Sequence, residues 1–94
     1  MLLRLHLKKA IEEAIRGAGI KSSLNQESAV ILWGVIVGKA ISSVTKAERV
    51  ESGSLVVKVE TAVWRQELHM QKKELIKKIN KKIGTTAIRD IRFI

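Results

Sequence analysis

The chain has 94 residues, 18 Lys and Arg against nine Asp and Glu, and a formal net charge of +9. It contains no Cys, no Pro and no Tyr, so disulfides and Cys-ligated zinc are excluded. The length allows a single domain, residues 1–94, with one small core and little room for a deep catalytic cleft, and the charge calls for an anionic partner.

In chain order, residues 3–18 are expected to form a helix, with Leu3, Leu7, Ile11, Ala14, Ile15 and Ala18 on one face and Gly17 and Gly19 at its end. Arg4, Lys8 and Lys9 interrupt the apolar start, so no signal peptide is expected. Residues 20–25 read as a polar connection. A second helix is expected over 26–44, with Val30, Trp33, Val37, Ala40, Ile41 and Val44 on one stripe and Ile31 and Val35 nearly opposite. A helix apolar almost all round calls for burial from more than one side. Gly34 and Gly38 would let another helix approach, either helix 3–18 or a second copy of the chain in self-association. The apolar run from Ser28 to Gly38 falls well short of the ~20 residues needed to span a bilayer. No membrane association and a cytoplasmic location are therefore expected.

Residues 47–60 read as a hairpin, in which Leu55, Val57 and Val59 alternate with Val56, Lys58 and Glu60 around a Ser52-Gly53 turn. Residues 62–83 read as one continuous helix, with Trp64, Leu68, Leu75 and Ile79 on one face and Lys73, Lys77 and Lys81 on the far side. Residues 86–94 read as a last strand, Ile91 and Phe93 facing in, Asp90 and Arg92 facing out. The expected fold is α+β in the order α-α-β-β-α-β, with helices over a small three-stranded sheet.

No catalytic or metal constellation emerges. His6 and His69 lack ligand spacing, Glu12 and Glu13 point different ways, and no serine lies in a nucleophile motif. The expected protein is not an enzyme and needs no cofactor. The charge, in contrast, is concentrated. Residues 62–94 hold nine Lys and Arg against three acids, +6, whereas residues 1–61 hold nine against six, +3. Arg65, Lys72, Lys73, Lys77, Lys78, Lys81 and Lys82 are therefore the candidate phosphate contacts. The strand positions expected to face solvent, Val56, Lys58, Glu60, Asp90 and Arg92, include no aromatic. Readout by base stacking is disfavoured, and backbone electrostatics or protein binding fits better.

Four motifs then carry a resemblance. Trp33-Gly-Val-Ile-Val37-Gly38, Gly53-Ser-Leu55-Val-Val57-Lys-Val59, Ala62-Val-Trp64-Arg-Gln66-Glu67-Leu68 and Leu75-Ile76-Lys-Lys-Ile79-Asn80, with Gly84 and Ile91-Arg92-Phe93, resemble in order and spacing the DciA family of bacterial replicative-helicase loaders. The resemblance is strongest over residues 26–94. The chain departs from the family pattern in having Thr45-Lys46-Ala47 where a polar-Pro step is common, and in lacking a disordered extension. The resemblance implies a fold similar to the type II KH domain and a role in DNA replication. The implied partners are the DnaB-type replicative helicase and single-stranded or forked DNA. Trp64 is then either a core anchor or a helicase-facing hot spot. No Gly-x-x-Gly occurs, so the nucleotide clamp of true KH domains is missing. An RNA-binding KH-like module associated with the ribosome or RNA metabolism is the alternative.

Overall fold

A computed structural model describes residues 20–94, and the helix expected over 3–18 lies outside the described residues. The elements in chain order are α1 (Ile20–Val37), α2 (Lys39–Ser42), β1 (Thr45–Glu51), β2 (Ser54–Val59), α3 (Ala62–Met70), α4 (Lys72–Ile83) and β3 (Asp90–Phe93). The sheet order is β1-β2-β3, β2 running antiparallel to β1 and parallel to β3. The chain thus passes from β2 to β3 through both α3 and α4. Leu55, Val57 and Val59 of the central strand meet Trp33 of α1, Leu68 of α3 and Ile79 of α4, so the helices pack on one sheet face. The expected α+β class holds, with two helices divided where the sequence suggests continuity.

The first division falls at Gly38. The helical pattern starts earlier than expected, at Ile20, and ends at Val37. Gly38 has φ 87° and ψ 168°, a region that a Cβ makes costly. The short α2 then turns back, and a Cβ at Gly34 would stand 3.6 Å from that of Ser42. Among the described residues, then, Gly34 admits the chain's own α2, and Gly38 is the point where the path turns. Trp33 locks this corner. Its Nε1 donates to Thr45 Oγ1 at 2.9 Å, and that hydroxyl donates to the carbonyl of Ile41 at 2.7 Å. One chain of hydrogen bonds therefore ties α1, α2 and the first residue of β1. Gly38→Ala should lower stability by about 2 kcal/mol through backbone strain alone, read as a drop in the urea midpoint with an unchanged slope.

The second division is at Gln71, which has φ −93° and ψ 3°, closes α3 and opens α4. Its amide side chain donates to Glu67 Oε1 at 3.0 Å. Residues 62–83 are therefore two helices, not one. Met70, Gln71 and Lys72 are all good helix formers, so propensity gives no warning of the break. α3 opens on Thr61, whose hydroxyl accepts from the backbone N–H of Trp64 at 3.2 Å.

The last strand begins at Asp90 because residues 85–88 are committed to a clamp. Asn80 Oδ1 accepts from the N–H groups of Ala87 at 3.1 Å and Ile88 at 2.9 Å, while its Nδ2 donates to the carbonyl of Ile88 at 2.9 Å. One side chain satisfies three backbone groups and seats Ile88 in the core, where it is fully buried. The hairpin turn is where the sequence places it. Glu51 pairs with Ser54, and both Ser52 and Gly53 have positive φ, as a two-residue type I′ turn requires. The Arg89 guanidinium lies across this turn, 2.6 Å from where a Cβ on Gly53 would be.

Candidate nucleic-acid interface

α4 buries Leu75 and Ile79 and turns Lys73, Lys77 and Lys81 to the opposite side. Lys73, Lys77 and Lys81 are all exposed there. Lys78 is also exposed, and Lys82 with it, on the flank toward the end of α1. There they line, with Lys81, Val35 and Ile36, a cleft of about 430 Å³. None of these five lysines is in an ion pair among the described residues, and Glu74 is the helix's only acid. Lysines four apart on one helix repel by about 0.2–0.5 kcal/mol per pair, a cost that a bound polyanion relieves.

The structure brings these five together but separates the other two candidates from them. Arg65 and Lys72 are half-buried beside β3. Lys72 Nζ is 3.3 Å from Asp90 Oδ1. Arg65 has no ion pair among the described residues, and its Nε is buried without a hydrogen-bond acceptor. Both line a groove of about 580 Å³ between α3 and β3. Trp64 is half-buried and packs on the edge of the core, whereas Trp33 is 2% exposed.

The outer sheet face is not legible in the sequence. Ala47 and Val50 both pack inward, three residues apart, because a bulge between Ala47 and Arg49 breaks the alternation of β1. The bulge places Arg49 across from Val56, which on its other side is paired with Arg92 of β3. The Glu51 carboxylate joins both arginines, accepting from Arg49 Nε and, at 3.0 Å, from Arg92 Nη2. Val56, which strand alternation would expose, is fully buried, and this bridged pair of arginines flanks it. Further along the face, Lys46 and Lys58 pair directly opposite each other, an unfavourable like-charge arrangement. No sequence periodicity marks this face as basic, since the bulge scrambles the register that would reveal it.

Hydrogen bonding and then charge from Arg49, with a smaller contribution from Arg92, hold the Glu51 carboxyl below the usual carboxylate range. With the folded value below the unfolded one, the ion pair stabilises above about pH 4 and its contribution is lost as pH falls through the depressed value. Glu51→Gln should therefore be less stable than wild type at neutral pH, and the urea midpoints of the two should converge as pH falls through the depressed Glu51 value.

Among the described residues no group of three or more His, Asp or Glu could hold a metal ion, and no helix is long and apolar enough to cross a membrane. Fold and site together define a small α+β module whose most prominent chemistry is an unpaired row of lysines on one helix. A family model described as Dna[CI] antecedent, DciA, matches residues 6–93. The chain belongs to the DciA family, which is associated with loading of the replicative helicase. No curated protein matches the chain significantly.

Proposed function

We propose that this chain is a non-enzymatic, cytoplasmic DNA-replication factor that binds the DnaB-type helicase and single-stranded or forked DNA and assists helicase loading. The observation that carries the DNA part is the row Lys73, Lys77, Lys78, Lys81 and Lys82, open to solvent and without acid partners among the described residues. The family membership carries the helicase part.

The path strand–helix–helix–strand from β2 to β3 is similar to that of a KH domain, with Gln71 alone at the helix junction where a KH domain has its glycine loop. Such a junction offers no flexible clamp, so binding through side-chain cations along α4 fits better than nucleotide-by-nucleotide readout. The helicase-facing surface includes Trp64, which is only half-buried and stands beside Val63, itself 80% exposed. Self-association would use the exposed stripe of Leu24, Ile31 and Val35 on α1.

A pull-down with the host's replicative helicase, with and without single-stranded DNA, tests the reading. Capture by the helicase, strengthened by DNA, is expected; no capture under either condition overturns it. A Trp64→Ala variant that stays folded but loses capture would place Trp64 at the interface. Preference for structured RNA over single-stranded DNA would favour the RNA-binding alternative.

A further inference from the structure

The cleft of about 430 Å³ between the end of α1 and α4 joins two chemistries in one place. Its floor is Val35 and Ile36, in the last turn of α1, and its rim is Lys78, Lys81 and Lys82. Ile36 is half-buried and packs against the core, whereas Val35 is 71% exposed. No acid lines the cleft, and residues 28–38 carry no charge at all. Lysine stems lie along apolar surface and keep their ammonium groups in water. The three lysines therefore extend the apolar walls and place their charges at the mouth. A nucleotide has the matching halves, an apolar base face and an anionic phosphate.

We propose that this cleft seats a nucleobase of the single strand whose phosphates the lysines hold, with Val35 as its floor. The inference rests on the DNA reading of α4 and adds to it where a base goes. Contact with an aliphatic side chain is blind to base identity, since every base presents a π-face. It does discriminate by strandedness. A duplex keeps its bases paired and stacked and has none to insert. The cleft thus favours single strands, whereas lysines alone favour the higher charge density of a duplex. Lys73 and Lys77 continue the cationic row past the cleft. A polynucleotide carries one charge and one apolar face on every repeat, so it meets the row and the floor together. An acidic peptide has to give up charged positions to supply apolar ones. A second copy seated here across a two-fold axis would bring both sets of three lysines together, a repulsion that a base does not meet.

The test compares, on the full chain and over a range of salt, an oligo-dT strand with an abasic strand of equal length. Both present the same phosphates, so counterion release is the same and only the bases differ. The abasic strand should bind about fivefold more weakly at every salt concentration, with a parallel slope. Val35→Ser leaves every charge in place. It should bind oligo-dT as weakly as wild type binds the abasic strand. It should bind the abasic strand and a duplex of equal length as wild type does, so a loss confined to oligo-dT cannot come from unfolding. Equal affinity of the wild type for the two strands overturns the base site and leaves the lysine row standing. A Val35→Ser protein that keeps the full preference for oligo-dT overturns it as well. Binding of both strands that does not respond to salt overturns the DNA reading itself, and this inference with it.

Discussion

Replacing Lys73, Lys77 and Lys81 together with Glu should weaken binding to single-stranded DNA by at least about 100-fold at 0.1 M salt. The figure follows from counterion release. Each phosphate neutralised on a single strand contributes about 0.7 log units of affinity per log unit of salt. Giving up three phosphate partners therefore removes about two log units at that concentration, and the new carboxylates add repulsion. The fold should survive, because all three side chains stand on the face away from the buried Leu75 and Ile79. The i, i+4 pairs stay like-charged with Glu in place of Lys, so repulsion along that side of α4 changes little. Unchanged circular dichroism and urea midpoint alongside the weakened binding would separate an interface effect from unfolding.

Trp33→Ala should be the most damaging single change to stability, costing about 3–5 kcal/mol. The indole is 2% exposed and fills the space between α1 and the sheet. Its loss also removes the donor that joins Thr45 and, through it, Ile41. A domain of this size has a total stability of roughly 5–15 kcal/mol, so the variant should be partly unfolded at 37 °C. Trp33→Phe keeps most of the apolar contact and loses one hydrogen bond, a cost of about 1 kcal/mol plus a small void. Urea titration of the three proteins checks the order. A Trp33→Ala protein as stable as wild type would mean that the corner between α1 and β1 is not held as described.

The central strand is legible in the residues alone because Leu55, Val57 and Val59 alternate without interruption, and all three are buried. The Ser52-Gly53 turn is legible because a two-residue loop needs residues that tolerate positive φ. The breaks at Gly38 and Gln71 are not. Apolar periodicity continues through both, and only backbone angles distinguish a glycine that ends a helix from one that lies within it. The role of Asn80 is invisible for a related reason, since its three partners sit seven or eight residues away in a loop with no regular pattern. For the candidate site, composition locates the basic helix, and helical spacing correctly sets Lys73, Lys77 and Lys81 opposite the apolar face. Spacing gives no means of seeing that Arg65 and Lys72 lie in a separate groove, since that depends on where β3 and Asp90 come to rest. The arginine pair flanking Val56 is hidden by the bulge in β1.

The measurement that tests the central claim most directly is the affinity of the chain for an oligo-dT strand as a function of salt, for wild type and for the Lys73→Glu, Lys77→Glu, Lys81→Glu variant. Five lysines engaging phosphates predict a wild-type slope of log affinity against log salt near about −3.5, falling to about −1.5 in the variant. A wild-type slope near zero, or one that the triple substitution leaves unchanged, would contradict the assignment of α4 as the DNA-binding surface.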